Sequence, residues 1–288
     1  MHLGVVWPQT TISADPATVR AFAQGVEALG FDHILIYDHV LGADPAGHPG
    51  WSGLFDVDSE FHEPFVFFGY LAALTNLELV PGVIILPQRQ TALVAKQAAE
   101  IDILTGGRFR LGVGIGWNAV EYEALDKSFT NRGRRIEEQV GLLRRLWTER
   151  AVTFHGEFET VSAAGISPLP VQRPIPVWFG GNSPPAFRRI GRLADGWIPE
   201  RQPGPNLDDA IHQVRLAAAA SGRDPATIGM QGRIRLSAGV DAAVGQLEEW
   251  RSAGATHVAL NTMGLGPDVD AHLAALAEFR ASGFAWWA

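Results

Sequence analysis

From Pro176 to Trp197 the chain reads Pro-Val-Trp-Phe-Gly-Gly-Asn-Ser-Pro-Pro-Ala-Phe-Arg-Arg-Ile-Gly-Arg-Leu-Ala-Asp-Gly-Trp. Val177 to Phe179 is a short apolar strand. Gly180 and Gly181 follow, then Asn182 and Ser183, either of which can cap a helix. Pro184 and Pro185 suit a first helical turn, where the missing N–H would have had no partner. Ala186 to Leu193 reads as the helix, Ala194-Asp195-Gly196 as its end, and Trp197-Ile198 as the next strand. A strand, a glycine turn and a capped helix can hold an anion, because backbone comes close and free N–H groups point outward. The same pattern also describes an ordinary turn that needs glycine for geometry alone. The turn by itself leaves both readings open.

Working outward, the same alternation runs through the chain. Strands are expected at Leu3 to Trp7, His33 to Tyr37, Leu77 to Leu86, Phe109 to Val113, Ile228 to Leu236 and His257 to Leu260. Helices are expected at Pro16 to Leu29, Glu63 to Leu74, Thr91 to Leu104 (with a Thr cap), Arg132 to Leu146, Leu207 to Ala220, Val240 to Ser252 and Val269 to Ala281, with a short one at Val120 to Leu125. Strands alternating with helices imply a parallel sheet. Eight such units in 288 residues fit a closed (β/α)8 TIM barrel, read as one domain over 1–288. A doubly wound sheet fits less well, because the first strand-to-helix turn, Pro8 to Pro16, has no Gly-x-Gly-x-x-Gly. Two insertions stand out: a long Gly-, Pro- and Asp-rich loop from Val40 to Phe61, and a small hairpin from Val152 to Val161.

Composition narrows the function. A net charge of −8 argues against a nucleic-acid partner. The absence of cysteine removes disulfides, thiolate zinc sites and cysteine nucleophiles. The apolar run Val80 to Leu86 is far shorter than the about 20 residues a membrane span needs. The expectation is a cytoplasmic protein with a small-molecule substrate and no membrane partner.

In a barrel the chemistry sits on the loops after the strands. Asp38-His39, at the end of the second strand, is the proton-handling candidate, since histidine titrates near neutrality. Its alternative is an Asp that caps backbone beside a packed His. Pro81-Gly82-Val83 interrupts the third strand and predicts a bulge there. Gly114-Ile115-Gly116-Trp117 could let backbone approach a ring, but it lacks the third glycine of a dinucleotide fingerprint. Arg132, Arg134 and Arg135 on one helix, and Arg188, Arg189 and Arg192 on another, are either solvated faces or anion partners. No metal-ligand spacing and no Gly-x-Ser-x-Gly elbow is present, so a cofactor is expected to carry the chemistry.

Tyr37-Asp38-His39, Val80-Pro81-Gly82-Val83, Arg108 to Asn118 with Glu121, and Trp178 to Trp197 together resemble the luciferase-like monooxygenase superfamily, in particular its coenzyme F420-dependent oxidoreductases. The resemblance implies a flavin or deazaflavin at the C-terminal rim: F420, with FMN as the alternative. Gly82 and Val83 would form a bulge behind the ring, commonly with a non-proline cis peptide. Gly114, Gly116, Trp117 and Asn118 would line the ring or tail, and Gly180, Gly181, Asn182 and Ser183 would bind the phosphate. His39 and Asp38 would sit near the ring, with His39 as proton donor or acceptor. The sugar-phosphate dehydrogenases of the superfamily carry Glu where this chain has Trp117, so an apolar or aromatic substrate is expected, walled by Trp7, Trp51 and Phe55. The implied reaction is hydride transfer between F420 and such a substrate. An FMN-dependent monooxygenase and a non-catalytic flavin-binding barrel are the alternatives. A homodimer is common in the family.

Overall fold

The computed structural model describes residues 1–282, along which strands and helices alternate. In chain order they are β1 (His2–Val6), α1 (Pro16–Ala28), β2 (His33–Ile36), α2 (Pro64–Ala72), β3 (Glu78–Pro81), β4 (Ile84–Ile85), α3 (Thr91–Leu104), β5 (Leu111–Gly114), α4 (Ala119–Ala124) and α5 (Arg132–Thr148). The hairpin strands β6 (Val152–His155) and β7 (Thr160–Ala164) follow. The chain then continues through β8 (Val177–Gly180), α6 (Pro184–Leu193), β9 (Gly196–Ile198), α7 (Pro205–Ala220), β10 (Gly229–Arg235), α8 (Val240–Ser252), β11 (His257–Asn261) and α9 (Val269–Ala281).

Nine strands pair side by side in the order β3-β2-β1-β11-β10-β9-β8-β5-β4, and every pairing among them is parallel. β3 and β4 are the halves of one barrel strand, parted at Gly82–Val83, whose peptide is cis. An isolated parallel bridge between Leu79 and Phe109 brings β3 beside β5 and nearly closes the ring. The antiparallel hairpin β6–β7 stands outside it. This is the TIM-barrel architecture, with the interrupted third strand that Pro81-Gly82 predicts.

Strand parity sorts the side chains. Val5, Ile34, Leu79, Val113, Phe179 and Leu260 face the helices and join the large core. Their neighbours Val6, Leu35, Val80 and Ala259 face inward and form a small separate cluster inside the barrel. Below that cluster the interior is polar: His33, Arg110 and Gln231 are buried there, with His257 and the Trp178 ring beside them.

Local chemistry places the helices. Asp15 caps α1 by accepting from Ala17 N and Thr18 N, each at 3.0 Å. Asp195, in the loop between α6 and β9, accepts from Val177 N at 2.8 Å and from Arg144 at 2.9 Å, which ties that loop to the start of β8 and to α5. Two caps differ from expectation. Thr91 is the first helical residue of α3 and not its cap, and its hydroxyl takes the Gln139 amide at 3.0 Å. At α6 the helix already begins at Pro184, and Ser183 occupies the cap position without a side-chain bond to the helix.

Candidate active site at the C-terminal rim

Parity also decides the Asp38-His39 pair. His33, Leu35 and Tyr37 point into the barrel, and His39 continues that series. Asp38 falls on the outward face. There its carboxylate takes a two-pronged bond from Arg89 Nη2, at 3.0 Å to each oxygen, and Arg89 Nη1 also reaches Glu63 at 3.1 Å. Burial pushes the Asp38 carboxyl up from the ordinary range, and the Arg89 guanidinium pulls it back. The two neighbours in sequence are therefore not a chemical pair. Asp38 belongs to a buried ion-pair network under the rim, which corrects its expected catalytic placement.

His39 pairs instead with Glu121, on α4. The ring Nδ1 lies 3.3 Å from Glu121 Oε1 and 3.4 Å from Oε2. The carboxylate is 1% exposed. It also accepts from Val40 N at 2.8 Å, Leu41 N at 3.4 Å and the Gln88 amide at 3.4 Å. Burial alone would raise the Glu121 carboxyl. The His39 ring and the two loop N–H groups outweigh it and hold the carboxyl below the ordinary range. Glu121 lies within the resemblance, yet spacing alone assigns it no partner: it sits 82 residues from His39.

Aromatic rings enclose His39. Phe61 is 4.7 Å away between centroids, Phe55 5.3 Å and Trp117 5.5 Å. Trp51 packs on Trp117 at 5.7 Å. Trp117 keeps 44% of its surface exposed and forms the outer edge of this box. Of the three residues expected to wall a substrate pocket, Trp51 and Phe55 lie in this cluster, and Phe61 joins them. Trp7 does not. It continues the outward series of Leu3 and Val5, is fully buried, and packs on Phe22 of α1 at 5.0 Å and Phe67 of α2 at 4.9 Å. Trp7 is a core residue by parity.

The other side of the rim is poor in side chains. The Val83 isopropyl group rests among glycines: a Cβ on Gly114 would lie 2.6 Å from Val83 Cγ2, and one on Gly180 would lie 3.3 Å from Val83 Cγ1. Gly116 has φ of +62°, and a Cβ there would come within 2.9 Å of Ile85. Val83, Gly116 and Gly180 are half-buried and Gly114 is buried. Together they make a low floor with few side chains. Asn118 is 2% exposed and its amide is used locally: Oδ1 caps α4 through Val120 N at 3.0 Å, and Nδ2 donates to Leu41 O at 3.4 Å. It supports the rim and offers no free polar atom toward it.

At the glycine turn, Gly181 has φ of +138° and the Asn182 side chain accepts from Arg201 Nε. Asn182 and Arg201 open onto a cleft of about 540 Å3 that runs to Gly204, Pro205 and Asn206 at the N-terminus of α7. The α6 and α7 N-termini both lack a side-chain cap. Such ends favour negative charge. Arg201, which no motif singles out, is the cation here. Of the helix arginines, Arg134, Arg135, Arg189 and Arg192 are paired with Glu157, Glu159 and Glu137, and Arg132 lies over Phe129. Arg189 and Arg192 tie α6 to α5, Arg134 and Arg135 tie the hairpin to α5, and none of them lines this cleft.

Known proteins resemble this chain over most of its length. An F420-dependent glucose-6-phosphate dehydrogenase of Nakamurella multipartita is 30% identical over 218 residues, covering 72% of this chain and 60% of that one. An FMNH2-dependent dimethylsulfone monooxygenase of Pseudomonas putida is 29% identical over 207 residues, covering 70% and 54%. The solved structure of an F420-dependent secondary alcohol dehydrogenase with an F420-acetone adduct superimposes with a TM-score of 0.79 at 18% identity, over 96% of this chain and 97% of that one. The sequence profile of the luciferase-like monooxygenases matches residues 1–283, and the chain belongs to that family.

Proposed function

We propose that this protein is an F420-dependent oxidoreductase acting on a small apolar or aromatic substrate. The observation that carries the choice of cofactor is the Asn182–Arg201 cleft. It extends past the phosphate turn and continues to a second uncapped helix end. FMN ends at its phosphate, whereas F420 carries an acidic glutamyl tail beyond it, which suits a guanidinium and a helix N-terminus. Gly180, Gly181, Asn182 and Ser183 would hold the phosphate. Val83, Gly114 and Gly116 would support the ring, with Trp117 at its edge.

When bound in reduced form, F420 supplies a hydride to a carbonyl, imine or conjugated alkene. His39 holds the proton that the substrate gains, or takes it in the reverse direction. The Trp51, Phe55, Phe61 and Trp117 rings exclude water and select apolar surface. The named relatives of the family include FMN-dependent monooxygenases, and the test separates the two.

The experiment is equilibrium titration with F420 and with FMN at several salt concentrations, paired with oxygen uptake in the presence of a flavin reductase. F420 is expected to bind more tightly, with an affinity that falls as salt rises. Tight FMN binding without F420 binding, with flavin-dependent oxygen consumption, overturns the proposal.

A further inference from the structure

We infer that Glu121 is the positioning residue that makes His39 a directional proton donor, with Nε2 as the atom that exchanges the proton. This rests on the functional reading above for the role of His39. Its geometric part stands by itself.

The Glu121 carboxylate receives Val40 N–H, Leu41 N–H and the Gln88 amide, so both of its oxygens are already accepting. It is 1% exposed; burial alone would raise its carboxyl, and the His39 ring, followed by the Val40 and Leu41 N–H groups, holds it below the ordinary carboxylate range. An ionised carboxylate cannot donate, so the bond to His39 Nδ1 requires that Nδ1 carry the hydrogen. Nε2 has no hydrogen-bond partner among the described residues. In the neutral ring Nε2 therefore holds the lone pair, and in the charged ring it holds the exchangeable proton. When substrate is reduced, the Nε2–H bond breaks and an O–H, N–H or C–H bond forms on the substrate. The ring returns to neutral with Nδ1–H still donated to Glu121, and solvent restores the proton. The electron pair comes with the hydride that the bound cofactor supplies.

The charged groups around His39 are few. Glu121 faces it from α4. Asp38 precedes it and is paired to Arg89, which also holds Glu63 from the start of α2. Phe55, Phe61 and Trp117 complete its surroundings and are uncharged. Of the carboxylates, Glu121 is the one in contact with the ring. Its removal therefore leaves His39 without its direct counter-charge. The same carboxylate holds Val40 and Leu41, where the long loop begins, so the position of the ring and the start of that loop are set together.

The test uses the full chain with Glu121→Gln, Glu121→Asp and His39→Ala. In ligand-free protein labelled with 15N-histidine, neutral His39 is expected to show the Nδ1–H tautomer, and Glu121→Gln is expected to shift it toward Nε2–H. In turnover, Glu121→Gln should lower kcat by at least about tenfold. Cofactor affinity should stay within about twofold, since Glu121 touches no part of the proposed cofactor site. Glu121→Asp, which keeps the charged acceptor, should recover part of the Nδ1–H population and of kcat. A wild-type His39 in the Nε2–H form, or a Gln variant with unchanged tautomer and kcat while His39→Ala is inactive, overturns the inference alone. If His39→Ala retains full turnover, the functional reading falls and the tautomer result still stands.

Discussion

At the residue scale, the glycines at the rim owe their identity to what stands next to them. Gly112 is the sharpest case. A Cβ there would lie 1.9 Å from the carbonyl oxygen of Pro81, which is backbone and cannot rotate away. Gly112→Ala should therefore displace β5 from the broken third strand and cost about 1–3 kcal/mol. Gly141, exposed on α5, has no neighbour within 4 Å of such a Cβ. Gly141→Ala should stabilise by up to about 1 kcal/mol through helix propensity alone. Thermal denaturation of the two variants should move in opposite directions. Equal shifts would mean that the crowding around Gly112 is not what decides its identity. Asp38 and His39 show the same dependence on surroundings. They are adjacent in sequence, but one binds Arg89 under the rim and the other binds Glu121 above it.

At the scale of elements, the hairpin β6–β7 is tied to α5 by the Glu138 carboxylate, by two ion pairs and by Arg145 Nη1, which donates to Thr153 O at 3.0 Å. Glu138 accepts from Glu157 N at 2.8 Å, Phe158 N at 2.9 Å and Glu159 N at 2.7 Å. Arg134 and Arg135 hold Glu157 and Glu159 from the same helix. Three backbone donors on one acceptor define the turn, whereas the exposed Arg134–Glu157 pair contributes little. Glu138→Ala should loosen the hairpin and leave the barrel intact. Hydrogen exchange is expected to rise over residues 152–164 and to stay unchanged in β8 and β5. A spread of the loss into those strands would show that the hairpin is part of the barrel's cooperative unit. The elements themselves were legible in sequence because their apolar residues repeat at the period of strand or helix. Their caps were less so, since Thr91 and Ser183 have capping chemistry but find other positions once the helix start is set by packing.

At the scale of the whole molecule, the barrel has two unlike ends. The rim carries the half-exposed floor and the aromatic box. The opposite end is filled by a buried polar plug. His33 is fully buried with its Nε2 against the Gln231 amide at 2.8 Å, and Arg110 stacks over Trp178 at 4.2 Å. Burial, with Arg110 and the neighbouring histidines, holds His33 well below the ordinary histidine range, and burial pulls His257 down to about 2. Both are neutral in the fold and take up protons when it opens. Their stabilising contribution is thus complete above a pH of about 6.5 and is lost as pH falls below it. Stability should drop between pH 7 and pH 5.5 with a slope approaching about 1.4 kcal/mol per pH unit for His33 alone. Denaturant melts across that range test it. A His33→Gln variant should flatten the slope, and an unchanged slope would mean that the plug does not exclude protons. Among the described residues no helix is long and apolar enough to cross a membrane.

The amino-acid sequence by itself determined the barrel, because alternating periods of apolar residues and glycine stops are local signals that need no partner to be read. It also determined the interruption of the third strand, since Pro81 lacks a ladder donor and Gly82 lacks a side chain. The stretch from Pro176 to Trp197 announced its strand, its turn and its helix in the same way. What only the tertiary structure decided is who faces whom. Strand parity turned Trp7 into core and separated Asp38 from His39, and barrel closure brought Glu121 to His39 and Arg201 to Asn182. Those pairings depend on which face of a strand a residue occupies and on which loops meet at the rim, and neither is a property of any local stretch of chain.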